Sequence, residues 1–240
     1  MESVEEKPVV VLLPVYQPGE HLLTLARGVR AARAGTALVV VDDGSDPAAA
    51  PVLEAVAGIG GTVLRHPVNR GKGAALKTGF RHIADAHPGR EVICADADGQ
   101  HSVADVLRVA DRTRATGHAV LGVRSIARMP LRSRVGNTAT RLLFRAATGR
   151  RVGDTQTGLR GYPADLLGWL GSVPGERFDY EMNVLLYASR RGLPLEEITI
   201  ATTYLDDNAS SHFDPLTDAT RIYWPLLRYA VSALVPARAR

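Results

Sequence analysis

Val92-Ile93-Cys94-Ala95-Asp96-Ala97-Asp98-Gly99-Gln100-His101 passes from an apolar run to two carboxylates separated by one residue. The run reads as a buried strand, and open α/β sheets place their ligands at the C-terminal tips of such strands. Two acids at this spacing can share one hard cation. Mg²⁺ or Mn²⁺ prefers oxygen ligands and leaves positions open for water and phosphate oxygens. A metal that grips a diphosphate is one reading of Asp96 and Asp98. A turn in which the acids act as turn former and helix cap is the other. The motif alone does not choose between them.

Working outward, short β-branched runs alternate with segments of helical spacing. Strands are predicted at 9–13, 38–41, 62–64, 92–95 and 119–123, with helices over 20–34, around 52–56, from 71 to 83 and over 103–116. This alternation predicts an α/β fold with a doubly wound, mostly parallel sheet. After Arg124 the pattern changes. Residues 125–160 are basic, with a helix predicted near 137–147. A further helix is read at 185–189, and 198–204 alternates like an edge or antiparallel strand. Residues 206–214 are polar and loop-like, and 219–235 is apolar with Arg221 and Arg228 inside it. The expected organisation is one domain: a nucleotide-binding half over 8–124, an acceptor-binding half over 125–218, and a C-terminal helix or tail over 219–240.

Composition narrows the classes. A chain of 240 residues with 45% apolar content can bury a sizeable core. Cys94 is the sole cysteine, so no internal disulfide forms, and a reducing compartment with an inert buried thiol is expected. The N-terminus lacks the form of a signal peptide and no run of 18 apolar residues occurs. The expected location is the cytoplasm, with peripheral attachment to the inner face of the cell membrane left open. Net charge is +4, and Arg124, Arg128, Arg132, Arg134, Arg141, Arg145, Arg150 and Arg151 crowd one region. Such a cluster points to anionic partners or to a solvated basic helix face. Nucleic acid is disfavoured, because aromatic residues are only 5% of the chain and none interleave with the arginines as stacking platforms.

A parallel sheet brings four segments to one edge: Pro14-Val15-Tyr16, Asp42-Asp43-Gly44-Ser45, Asn69-Arg70-Gly71-Lys72-Gly73 and Asp96-Ala97-Asp98. An aromatic ring can cover a base, a carboxylate can accept from a base N–H, and glycines let backbone approach a ligand closely. Together the segments fit a nucleotide-diphosphate site. Gly71-Lys72-Gly73 is not a P-loop, since the required glycine spacing and the following Ser or Thr are missing. It is either a ligand-proximal loop or a plain strand-to-helix turn.

In order and wording these segments resemble the family 2 glycosyltransferases with the GT-A fold, over roughly residues 9–215. Within that family they look most like the dolichol-phosphate mannosyltransferases and bacterial polyprenyl-phosphate glycosyltransferases. The resemblance implies that Pro14, Tyr16, Val41 and Asp43 line the nucleoside pocket, Asp43 facing the base. It implies a metal on Asp96 and Asp98, with Gln100 as further ligand or orienter, and Ala97 and Lys72 on the nucleotide-sugar side. Arg124 would contact substrate phosphates, and Arg132, Ser133 and Arg134 would hold an acceptor phosphate. The block Asp154-Thr155-Gln156-Thr157-Gly158-Leu159-Arg160-Gly161 would approach sugar and acceptor from the other wall, and Asp179 or Glu181 would meet the acceptor group. Two places depart from the family. Gln17-Pro18 stands where Asn-Glu is common, with Glu20 displaced, and His212 stands where a lysine is usual, either touching the diphosphate when protonated or packing on Phe213 as a loop histidine.

The implied activity is transfer of a hexose from a UDP- or GDP-sugar to a polyprenyl phosphate or other acceptor, with inversion, in cell-envelope synthesis. Asp98, Arg124, Asp154 and Glu181 are the catalytic candidates. A phosphate acceptor is already ionised and needs no strong base, whereas a hydroxyl acceptor would nominate Asp154, Asp179 or Glu181. Residues 222–235 read either as an interfacial segment or as a packed C-terminal helix. A soluble or protein-attached acceptor, a nucleotidyltransferase and a non-catalytic nucleotide-sugar-binding module stay open as alternatives.

Overall fold

The computed structural model describes residues 8–125 and 129–201. His212, the loop at 206–214 and the segment 219–240 lie outside the described residues, as does the side chain of Arg132. The described chain builds a seven-stranded sheet in the order β3-β2-β1-β4-β6-β5-β7. β1 (Val10–Val15) lies at its centre, parallel to β2 (Ala37–Asp42) and β4 (Val92–Cys94), and β2 runs parallel to β3 (Thr62–Arg65). The expected α/β class and mostly parallel sheet are therefore present.

Helices cover both faces, which is why the strands read as continuous apolar runs rather than alternating ones. Val9, Val11, Leu13 and Val15 pack with α1 (Glu20–Ala32), α2 (Ala50–Gly58) and α4 (Val103–Thr116) through Leu22, Val29, Leu53, Val56 and Val106. Val10 and Leu12 point to the opposite side, against Leu76, Phe80 and Ile83 of α3 (Lys72–Ala86) and Leu167 and Leu170 of α6 (Leu167–Ser172). A third cluster, Leu121, Phe144, Val152, Met182, Leu185 and Leu186, ties β5 (Ala119–Arg124) to α5 (Leu131–Thr148) and α7 (Asp179–Arg190).

Three features differ from the sequence reading. β6 (Arg160–Tyr162) enters antiparallel between β4 and β5, a strand that three residues without alternation do not announce. Gly161 makes that insertion possible: a Cβ there would run into Thr113 Oγ1, and Val109 Cγ1 at 2.9 Å. β7 (Leu195–Ile200) holds the edge place that its alternation allowed, but it starts before 198 and runs parallel to β5. α5 starts at Leu131 rather than near 137, because its polar, arginine-bearing first turns give no apolar period to read. Among the described residues no helix is long and apolar enough to cross a membrane.

α3 sits close to β1 because Gly79 faces Leu12. A Cβ at this position would meet Leu12 Cδ2 at 2.7 Å. Gly79→Val should therefore overpack this face and cost about 1–3 kcal/mol. Urea denaturation should show a lower midpoint with an unchanged slope; an unchanged midpoint contradicts the packing described.

Candidate active site

The loop after β2 is built by two buried carboxylates. Asp42 accepts from Ser45 N (3.0 Å) and Arg65 Nε (3.0 Å). Asp43 accepts from Arg70 N (2.9 Å) and Gly71 N (2.7 Å) and is bonded to His66 Nδ1 (2.7 Å), whose Nε2 reaches Thr78 Oγ1 (2.9 Å). Asp43 thus gathers the 66–71 loop onto the tip of β2. Gly44, at φ +77, lies so close to this loop that a Cβ would meet Asn69 N at 2.6 Å. Gln17 closes the other side: its N–H donates to Ser45 Oγ (2.7 Å) and its Nε2 to Asp46 Oδ2 (2.7 Å). Tyr16, 39% exposed, stands at the rim of the edge so formed.

Val41 is fully buried in the core beside Val39, Leu76 and Phe80. Asp43 is 3% exposed, and its two oxygens hold the 66–71 loop.

At the tip of β4 the charges converge. Lys72, in the first turn of α3, places Nζ 2.7 Å from Asp96 Oδ1 and 2.9 Å from Glu181 Oε2. Glu181 comes from the first turn of α7. The glycines on either side of Lys72 let this happen. Gly71, at φ +104, and Gly73 lie against Glu176, Arg177 and Tyr180, where added Cβ atoms would meet backbone and side chain at 2.5–3.1 Å. Burial works against the Lys72 ammonium, but Asp96 and Glu181 outweigh it and hold its pKa above the ordinary lysine value. Burial likewise opposes the Asp96 carboxylate, yet Lys72 and His101 overcome it and keep Asp96 below its usual range. Asp98 moves the other way: burial, then the neighbouring Asp96 charge, pushes it up despite a bond from Gln100 N (3.0 Å). His101 is 8% exposed, its Nδ1 makes no hydrogen bond among the described residues, and burial pushes its pKa down against the pull of both acids.

Asp96, Asp98 and Gln100 supply hard oxygen donors on one loop, the donor chemistry that suits Mg²⁺ or Mn²⁺. No three His, Cys, Asp or Glu groups among the described residues converge to hold an ion. A cation bound here would complete its shell with water and ligand oxygens.

A second charged layer supports the first. Arg124, at the end of β5, grips Asp154 with Nε (2.6 Å) and Nη2 (3.0 Å). Asp154 is fully buried and also accepts from Gln156 N, so it positions Arg124. Arg160, 1% exposed, donates to Thr157 O (2.9 Å), Glu181 O (2.9 Å) and Thr155 O (3.3 Å). Thr155 is held from α5 by Asn137 Oδ1 (3.3 Å) and Thr140 Oγ1 (2.7 Å). This pinned 154–160 loop sets Gly158 directly against the Asp96 carboxylate. Asp179 accepts from Arg177 N (3.0 Å) and serves the turn that opens α7. Ser133 and Arg134 lie on the first turns of α5, with Arg134 exposed. Pro14, in β1, pairs in register with Val41, and Ala97 stands half-buried between the two acids.

Sequence reasoning missed the bridging position of Lys72 and the whole role of Arg160. Arginine inside the short, otherwise small-residue stretch Thr157-Gly158-Leu159-Arg160-Gly161 is the one signal that marked it.

A sequence model of the family described as Glycosyl transferase family 2 matches residues 10–162. The chain is 30% identical over 187 residues to the uncharacterized protein MJ1222 of Methanocaldococcus jannaschii, covering 75% of each. It is 26% identical over 151 residues to the UDP-N-acetylglucosamine--dolichyl-phosphate N-acetylglucosaminyltransferase of Methanococcus voltae, covering 60% of this chain and 59% of that protein. Glucosyl-3-phosphoglycerate synthase from Mycobacterium tuberculosis shares the fold. Its complex with Mn²⁺, UDP and glucosyl-3-phosphoglycerate gives a TM-score of 0.69 at 19% identity, covering 94% of this chain and 81% of that one. Its complex with Mn²⁺, UDP-glucose and phosphoglyceric acid gives 0.70 at 18% identity, covering 94% and 80%.

The contact between Gly158 and Asp96 yields a direct test. Gly158→Ala would drive a methyl group into the Asp96 carboxylate and move it away from Lys72. Mn²⁺ affinity in the presence of UDP or GDP should fall by about tenfold or more, the scale on which misplaced metal ligands act. Calorimetry reads this out, with circular dichroism confirming the fold; unchanged affinity would contradict the described packing.

Proposed function

Since the chain belongs to glycosyl transferase family 2, we propose that it moves a hexose from a UDP- or GDP-sugar to a phosphate-bearing acceptor, a polyprenyl phosphate first among these, with inversion. The observation that carries this reading is the acid pair at the tip of β4, where Lys72 neutralises Asp96 and Asp98 stands ready for a cation. Asp96 and Asp98, with Gln100, would hold Mg²⁺ or Mn²⁺. When bound, that ion supplies charge neutralisation for the departing nucleoside diphosphate. The Mn²⁺- and UDP-containing complexes of the structural neighbours support the same donor chemistry.

The protein's own groups divide the remaining work. Tyr16, on the rim, covers the base. Lys72 adds a fixed positive charge beside the diphosphate, and Arg124, held rigid by Asp154, presents its guanidinium to substrate phosphates. Glu181 shares Lys72 and orients the acceptor group, while Ser133 and Arg134 receive the acceptor phosphate. An ionised phosphate attacks without a general base, which suits a site whose buried Asp154 is committed to Arg124. Alignment of donor and acceptor then makes the large contribution, about 7–11 kcal/mol for well-oriented reactants.

In this reading residues 8–124 hold the donor, 125–218 the acceptor and 219–240 form the tail. The buried, lone Cys94 supports a cytoplasmic setting. The name of the Methanococcus voltae relative favours a lipid-linked phosphate acceptor. A small phosphorylated acceptor is the second reading, favoured by the phosphoglyceric acid in the structural neighbours.

The test is a panel of UDP- and GDP-hexoses with short-chain polyprenyl phosphates or phosphoglycerate, in Mg²⁺ or Mn²⁺. Release of nucleoside diphosphate together with one glycosylated acceptor is expected, and chelation should stop it. Asp98→Ala should lower turnover by about 10²-fold or more without changing the fold. Pyrophosphate release, or full activity in Asp98→Ala, would overturn the proposal.

A further inference from the structure

β1 leaves the sheet through a corner at Gln17. Its φ of +51 makes it the one non-glycine residue in the left-handed region among the described residues. Two preferences oppose that conformation. A side chain with a Cβ enters it at a cost that glycine escapes and asparagine largely offsets. The residue before a proline, here Pro18, favours extended backbone. The corner is held nonetheless, by two bonds to the loop after β2. Gln17 N donates to Ser45 Oγ (2.7 Å), and Gln17 Nε2 donates to Asp46 Oδ2 (2.7 Å). Ser45 is itself fixed, since its N–H donates to the buried Asp42 at Oδ1 (3.0 Å).

Tyr16 therefore stands between two pinned neighbours. On one side Val15 O accepts from Asp43 N (2.8 Å). On the other is the Gln17 corner. The same loop, 43–46, is also packed through Gly44 against the backbone of Val68, which is 62% exposed. Tyr16 and Val68 are two of the five large apolar side chains exposed among the described residues, and both adjoin this loop.

A plain turn needs neither the glutamine amide nor the Asp46 carboxylate, because glycine at 17 would make it unopposed. What glutamine adds is one fixed chain direction immediately after an exposed ring. Backbone outliers held by several outside bonds cluster at ligand sites. An aromatic face set in place before its ligand arrives also loses less freedom when it stacks.

We propose that Gln17 is a positioning residue: its clamped left-handed corner sets the chain direction after Tyr16 and aims the Tyr16 ring at the base of the nucleotide donor. This rests on the reading of Tyr16 as the residue that covers the base. It makes Asp46 a remote member of the same device, acting only through Gln17 and Tyr16.

Fluorine NMR of the full chain labelled with fluorotyrosine tests it, with the Tyr16 resonance identified by its loss in Tyr16→Phe. That resonance should shift when UDP or GDP is added with Mn²⁺. Gln17→Val and Asp46→Ala should each move it toward the position of the free amino acid before any nucleotide is present. Both should weaken nucleoside diphosphate binding about tenfold, the scale of one lost base-stacking contact, with circular dichroism unchanged. Gln17→Asn, which enters the left-handed region readily, should stay within about twofold of the native chain. In a Tyr16→Ala background Asp46→Ala should have no further effect on affinity, because its path to the ligand is gone.

A Tyr16 resonance indifferent to Gln17→Val overturns the proposal. So does an Asp46→Ala loss of equal size with and without Tyr16, which would mark the corner as general scaffolding. The two readings fail separately. A resonance that follows the nucleotide but not the corner variants removes the positioning role alone. A resonance that follows the corner variants but no nucleotide removes the donor reading alone.

Discussion

The site depends on one electrostatic constraint, the crowding of the half-buried Asp96, Asp98 and Glu181. Unpaired carboxylates are costly in such a place, and Lys72 pairs directly with two of them. By bonding Asp96 and Glu181 together it joins the tip of β4 to the first turns of α3 and α7. Its reach requires close backbone approach, hence glycine on both sides of it. Charge, chain path and residue choice at 71–73 are therefore one solution to one problem. Asp98 is left with its ionised form opposed by burial and by Asp96, the arrangement that a divalent cation relieves.

A shell of further charges keeps that arrangement in register. Arg124 pairs with Asp154, and Arg160 bridges the carbonyls of Thr155, Thr157 and Glu181. Their effect is positional. They fix a loop that carries no regular structure of its own, and that loop presses on Asp96. α5 shares this task on its inner side through Asn137 and Thr140.

The first half of the fold was legible because its strands are buried on both faces and its helices keep a clean apolar period. Val9-Val10-Val11-Leu12-Leu13 and Leu38-Val39-Val40-Val41 admit few other readings, and the acids after them mark the functional edge. The second half hides its plan. β6 is three residues around a buried arginine, the direction of β7 is set by its partner β5 rather than by its own pattern, and the first turns of α5 are polar. Within the site, residue types pointed to the right edge but not to individual contacts. Asp43, Asp154 and Val41 have the chemistry or spacing expected of ligand neighbours, yet tertiary partners turn the two acids inward and pack the valine in the core. Lys72 read as a loop residue beside a ligand, and its bridge to Glu181 became visible only when α7, a hundred residues away in sequence, was folded beside α3.

The central claim is that the β4-tip acids take up a divalent ion together with a nucleotide. Electron paramagnetic resonance of Mn²⁺ measures it most directly, by following loss of the free-ion signal on adding protein with and without UDP or GDP. The account predicts one ion bound per chain when the matching nucleoside diphosphate is present, and loss of that uptake in Asp98→Ala. Uptake of equal size and affinity in Asp98→Ala would contradict it.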